Sequence, residues 1–123
     1  MGNKVMNPAE MKERTQKFAL RVIQLVESLP LRRTADILGR QLLRSGTSVG
    51  ANYRAACRAK SQADFIAKMG IVEEEADESI YWMELLASAG IVKPDQVRSL
   101  INEANEILAM TVTSIRTARK RPA

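Results

Sequence analysis

Apolar residues recur along this chain at alternating steps of three and four, the spacing that lines one face of an α-helix. Four such runs are present. The first is Met11, Thr15, Phe18, Val22, Leu25 and Leu29, and the second is Ala35, Leu38, Leu42, Ser45, Val49, Asn52 and Ala56. The third is Phe65, Met69, Val72, Ala76, Ser79, Met83 and Leu86. The fourth, the most regular, is Val97, Ile101, Ala104, Leu108, Thr111, Ile115 and Ala118. Punctuation separates them. Asn7 suits an N-cap, Pro8 the first helical position and Glu10 the capping-box acid, while Pro30 ends the first run. Thr34 is placed to cap the second helix, Ser61 with Asp64 to open the third, Gly90 to stop it, and Pro94 to open the fourth.

The pattern predicts helices over roughly 8–29, 34–59, 61–89 and 94–118, with a basic tail at 119–123 that frays. At 1.5 Å per residue each helix is about 30–37 Å long, and short connections force sequential helices antiparallel. The expected architecture is an all-α, up-down-up-down four-helix bundle forming one domain over residues 1–123. A second apolar row on the first helix (Ala19, Ile23, Val26) and on the fourth (Leu100, Ile107) exceeds a minimal bundle seam. Burial against further copies of the chain explains such width, and an irregular monomeric core is the alternative.

The second helix carries Gly39, Gly46 and Gly50, at a propensity cost on the order of 2–3 kcal/mol relative to alanine. They share a face with Leu43, Tyr53 and Cys57 and form a shallow groove. Close approach by another helix is the leading explanation for this groove. A phosphate backbone lying in it, and a break at Gly46 with Thr47 or Ser48 capping a new helix, are the alternatives.

Charge changes the picture more than composition does. Residues 32–60 hold seven basic residues and one acid, a net of +6, whereas residues 61–89 hold seven acids and one Lys, a net of −6. Such complementarity suits helix–helix docking within one chain or between chains. Along the second helix Arg40, Arg44, Arg54 and Arg58 form a row around a small-residue saddle at Thr47 and Ala51. That row reads either as a ladder for phosphates, which Arg grips through paired hydrogen bonds, or as a counter-surface for Glu73, Glu74, Asp77, Glu78 and Glu84. Arg116, Arg119, Lys120 and Arg121 are the most freely available cations.

Length and composition bound the function. The chain has 123 residues, is 46% hydrophobic, and carries a net charge of +5, which makes polyanions plausible partners. It contains no histidine. That removes the usual general base, the His-paired nucleophiles, the commonest zinc ligand and the Glu-x-x-His pairs of di-iron bundles. The acids of the third helix are weighed as a site for Mg²⁺ or Ca²⁺, but a solvated or salt-bridged face is preferred. The single Cys57 lacks a partner, fits a reducing cytoplasm, and is read as a buried structural thiol. No phosphate-binding glycine loop is present. Of the adjacent Tyr81 and Trp82, one is expected to pack inward and the other to lie at an interface. With five aromatics in all, an extended base-stacking platform is not expected. The stretch MGNKVMNPAEMKE lacks the apolar core of a signal peptide, and no window approaches about 18 uninterrupted apolar residues.

The run LLRSGTSVGANYRAACRAKSQADFIAKMGIVEEEADESIYWMELL at 42–86 resembles the bacterial four-helix-bundle family of 23S rRNA intervening-sequence proteins. The resemblance is carried by the small-residue turn with Ser48 and Asn52, the Arg/Lys/Ser segment after it, Phe65, and the Glu-rich helix ending in Trp82 and Leu85. Phe18 and Leu25 of the first helix also fit. Many members carry a Glu-Gly pair after the Asn-containing turn, where this chain has Ala55, Ala56 and Cys57. The resemblance implies a small cytoplasmic bundle, some relatives of which are encoded within insertions in ribosomal RNA genes. More distantly, the chain is similar to basic accessory proteins of diversity-generating retroelements, pentameric barrels that bind nucleic acid and a reverse transcriptase, and that likeness implies a homopentamer.

Taken together, the residues predict a non-enzymatic homo-oligomeric bundle that binds RNA or DNA through backbone charge as an accessory or scaffold. No cofactor, metal, membrane or small-molecule substrate is expected. The predicted contacts are Arg40, Arg44, Arg54 and Arg58, supported by Arg116, Arg119, Lys120 and Arg121, with Gly39, Gly46 and Gly50 as a helix-packing groove. The rival reading is a protein–protein adaptor whose arginine row is consumed in subunit or partner contacts.

Overall fold

The computed structural model describes residues 7–122. Four helices follow in order, α1 (Pro8–Glu27), α2 (Arg33–Cys57), α3 (Gln62–Ser88) and α4 (Pro94–Lys120). They pack in a ring as a four-helix bundle. Each helix lies against its sequence neighbours, α1 and α4 touch least, and the backbones of diagonal helices make no close approach among the described residues. No strand occurs among the described residues. The first six residues of the stretch examined for a signal peptide, and Ala123 of the basic tail, lie outside the described range. Among the described residues no helix is long and apolar enough to cross a membrane.

Local chemistry explains most of the boundaries. The Asn7 side chain accepts the Glu10 N–H at 2.8 Å, and Glu10 reaches back to the Asn7 side-chain amide at 2.7 Å rather than to its backbone. Ser61 caps α3 by accepting the Asp64 N–H at 3.0 Å. At the other end of α3, Gly90 adopts φ +74°. Its N–H meets the Ala87 carbonyl and the Ile91 N–H meets that of Leu86, the paired bonds of a Schellman stop that a left-handed glycine permits. The Lys93 N–H donates to the Gln96 side chain at 2.8 Å ahead of Pro94.

Two expected boundaries move. Thr34 is not the cap of α2, because Arg32 is the extended residue before the helix and its carbonyl accepts the Asp36 N–H. Arg119 and Lys120 do not fray but extend α4, where cations sit favourably at the negative end of the helix dipole.

The core follows the four stripes closely. Phe18, Leu42, Met69, Met83, Leu86 and Ile107 are its largest fully buried side chains. The four buried hydroxyls among the described residues are satisfied. Thr15 and Thr111 donate to carbonyls one turn back, and Ser79 donates to the Glu75 carbonyl and meets Ser45 at 2.9 Å across the α2–α3 seam. Leu100 and Ile107, read as spare apolar surface, belong to this core. Of that second row only Ile23 is exposed, with Ala19 and Val26 half-buried.

On α2 the buried face is turned from the expected stripe. Gly39, Gly46 and Tyr53 are buried while Leu38 and Asn52 are only half-buried. The glycines cause this rotation. A Cβ on Gly46 would stand 2.8 Å from both Val22 methyl groups, one on Gly39 would stand 2.9 Å from Leu29 Cδ1, and one on Gly50 would stand 3.2 Å from Thr15 Oγ1. Side chains of α1 and of Leu29 just beyond it therefore occupy the groove, and α2 runs unbroken through Gly46 and Gly50.

Candidate nucleic-acid interface

The arginine row of α2 divides at its middle. Arg44 is engaged with α3: one guanidinium nitrogen meets Glu75 Oε2 at 3.1 Å and another bonds Glu78. Those two hydrogen bonds hold the Arg44 pKa above its ordinary value. Trp82 Nε1 donates to Glu78 Oε2 at 3.1 Å, and this bond first, with Arg44 second, pulls the Glu78 carboxyl below its usual pKa. Trp82 is half-buried against the core and Tyr81 is exposed, with the two rings edge-on at 5.0 Å. Arg40 has its Nε 3.2 Å from Asp36 of its own helix, both side chains well exposed, a pairing of small energetic consequence.

The broad +6 and −6 complementarity resolves to this one bridge. Antiparallel packing sets the C-terminal half of α2 beside the N-terminal half of α3, where Asp64 is the sole acid before Glu73. Glu73, Asp77 and Glu84 recur at helical spacing on a row separate from Glu75, Glu78 and Trp82. Among the described residues none of those three, nor Glu74, pairs with an arginine of α2. The acids of α3 do not gather in groups of three that could hold a metal among the described residues.

Arg54 and Arg58 belong to a different cluster. The C-terminal ends of α2 and α4 arrive at one end of the bundle, together with the first turns of α1 and α3. Gln62 of α3 fastens this end, its side-chain amide donating to the carbonyls of Ala118 and of Arg121, the latter at 3.1 Å. Arg54, Arg58, Arg116, Arg119, Lys120 and Arg121 all reach this end, and none forms an ion pair with another described residue. Lys12 of α1 and Lys60 after α2 join them. Helix spacing gave no sign of these two, and only the antiparallel topology places them there.

The acids at this end are engaged locally. Glu13 lies 4.0 Å from Lys17. Asp64 accepts from Lys68 Nζ at 2.6 Å and from the Lys60 N–H at 3.0 Å, and these bonds, that of Lys68 foremost, lower its pKa. Arg14, by contrast, is spent on the loose α1–α4 seam. It meets Glu103 Oε2 at 2.6 Å and also bonds Glu106, which raises its pKa.

A cleft of about 760 Å³ opens in the middle of this basic end. Tyr53 and Phe65 contribute aromatic surface to it, and Lys12 and Arg121 are among its lining residues. Burial foremost, with the neighbouring Cys57 thiol second, pushes the Tyr53 phenol pKa up. Cys57 lines the same cleft and is exposed, not buried as expected, because the burial face of α2 passes through Tyr53 and Ala56. A second groove, of about 520 Å³, runs outside α1 and α2 past Gly50, Thr47, Ala51 and Arg54, with Glu13 on its wall.

The sequence model described as 23S rRNA-intervening sequence protein matches residues 8–113. Among solved structures, a protein of unknown function from the S23 ribosomal protein family of Bacteroides thetaiotaomicron superposes with a TM-score of 0.84 at 37% identity. The match covers 90% of this chain and 99% of that one. Comparison with curated proteins finds no match.

Proposed function

This chain belongs to the 23S rRNA-intervening sequence protein family, and from that premise we propose that it is a non-enzymatic cytoplasmic scaffold that binds RNA or DNA by its phosphates. One observation carries the reading: the unpaired cations Arg54, Arg58, Arg116, Arg119, Lys120 and Arg121 converge at one end of the bundle. Their charge is not spent on internal ion pairs among the described residues, and the local acids are engaged elsewhere. Contacts of that kind release counterions and read charge rather than sequence. Arg44 takes no part in the binding, and Arg40 stands apart from the cluster.

The protein acts as a homo-oligomer in this reading, a pentamer by family resemblance. Leu20, Ile37, Ile71 and Tyr81 are between 40% and 54% exposed, and apolar surface scattered over α1, α2 and α3 favours contacts between copies. The test is titration of labelled RNA against salt, with solution mass followed by light scattering in the same samples. Binding is expected to weaken steeply as salt rises, with a log–log slope of several units, and the particle to weigh a multiple of 13.7 kDa. A salt-independent affinity, or no retention at about 50 mM salt where such contacts are strong, overturns the nucleic-acid reading. A multimer without RNA binding favours the adaptor instead.

A further inference from the structure

We propose that the cleft at the basic end holds one unpaired nucleotide, the base between its apolar walls and the phosphate on Lys12 and Arg121. The protein then engages unpaired ends in preference to closed duplex. This inference rests on the phosphate-binding reading of the same end.

The lining matches the three parts of a nucleotide. Phe65, half-buried, gives the accessible aromatic face for a ring, and Tyr53, Ala56 and Ala118, nearly buried, close the apolar wall behind it. Ser114 and Thr117 supply hydroxyl groups for its edge, and Gln62, whose amide N–H groups hold the Ala118 and Arg121 carbonyls, offers only its Oε1. On α4, Thr111 and Thr113 spend their hydroxyls on carbonyls one turn back, whereas Ser114 and Thr117 form no such bond among the described residues. Lys12 and Arg121 provide the cations, and no described carboxylate lines the cleft. An anion that carries a flat heterocycle is therefore accepted where a cation is not. A volume of about 760 Å³ falls in the range of pockets that enclose small organic ligands. The α1–α2 groove fails the same comparison, having Glu13 on its wall and no aromatic side chain.

The chain has too few aromatics for a track of stacked bases, but one pocket needs only the two that the fold brings together. The preference runs against simple electrostatics. Duplex has the higher charge density, so a surface that reads phosphate alone favours it over single strand. Greater affinity for unpaired ends requires contact with a base.

Cys57, the single cysteine of the chain, lines the cleft and is exposed, so it serves as a reporter. The experiment measures its modification rate by a soluble thiol reagent, alongside affinity. The full chain is mixed with a short blunt duplex, with the same duplex bearing a single-stranded overhang, or with neither. The overhang is expected to slow modification at least tenfold and to bind about tenfold more tightly than the blunt duplex. Ala59→Trp and, separately, Pro122→Trp fill the cleft without removing a cation. Each should abolish the preference while leaving blunt-duplex affinity within about twofold, and whichever variant keeps the wild-type helical signal decides the point. Equal affinity for both DNAs with Cys57 unprotected overturns the nucleotide pocket and leaves phosphate binding standing. No binding of either DNA overturns both.

Discussion

Gly46 and Val22 show how tightly single residues set the α1–α2 spacing. Alanine at Gly46 brings a methyl to 2.8 Å from both Val22 methyl groups. Overpacking of this kind costs about 1–3 kcal/mol, which the better helix propensity of alanine offsets by about 1. Because the β-branched Val22 side chain cannot swing aside, Gly46→Ala is expected in the upper part of the resulting range, lowering stability in urea by about 1–2 kcal/mol, and adding Val22→Ala to recover part of the loss by making room. A neutral or stabilising Gly46→Ala would contradict the packing. The sequence flagged these glycines by their cost, but the residue they accommodate was not legible, since periodicity does not say which neighbour meets which face.

Glu78 behaves differently. Its folded pKa lies below the ordinary 4.5, so its contribution is complete above that value and fades as pH falls through the lowered one. The side chain is 36% exposed, which limits the effect to under about 1 kcal/mol. Glu78→Gln should thus narrow its stability gap from wild type as pH drops from about 5 to 3, the window set by an ordinary glutamate pKa. A gap that does not change over that window argues against the Arg44–Glu78–Trp82 cluster.

At the scale of elements, the sequence conveyed most where punctuation and periodicity agreed. Asn7, Ser61, Gly90 and Pro94 mark helix ends by local hydrogen bonding and backbone geometry, which neighbouring residues alone determine. Thr34 misled because a cap is defined by where the chain turns, and the turn after Pro30 places Arg32 there instead. The rotation of α2 was hidden for a related reason. Glycine scores as neither core nor surface, so Leu38 and Asn52 stood in for a face that Gly39, Gly46 and Tyr53 occupy. Gly70 in α3 provides the contrast. A Cβ built on it meets nothing within 4 Å, so Gly70→Ala should raise stability by about 0.5–1 kcal/mol through helix propensity and a less flexible unfolded chain. Thermal melts of the two proteins check this, and a lower midpoint for the variant goes against it.

Over the whole molecule, the charge blocks read from the sequence do not simply neutralise one another. Antiparallel order places every acid of α3 but the locally engaged Asp64 beyond the reach of Arg54 and Arg58 and leaves Arg44 as the sole cross-helix bridge from the row. The same order gathers the C-terminal cations of α2 and α4 at one end, with Lys12 and Lys60. Each arginine of the candidate interface was legible as a residue, but their division into an engaged half and a free half was not, because it depends on helix direction and register. Phosphate binding at the basic end depends on that division. The most direct test compares RNA affinity in three charge-reversal variants: Arg58→Glu, Arg119→Glu and Arg44→Glu. The first two should each weaken binding about tenfold or more at low salt and flatten the salt slope by about one unit or more, as loss of phosphate contacts requires. Arg44→Glu should cost stability through repulsion of Glu75 and Glu78 yet bind RNA within about twofold of wild type wherever it remains folded. Undiminished binding by Arg58→Glu and Arg119→Glu, or selective loss in folded Arg44→Glu, would contradict the account.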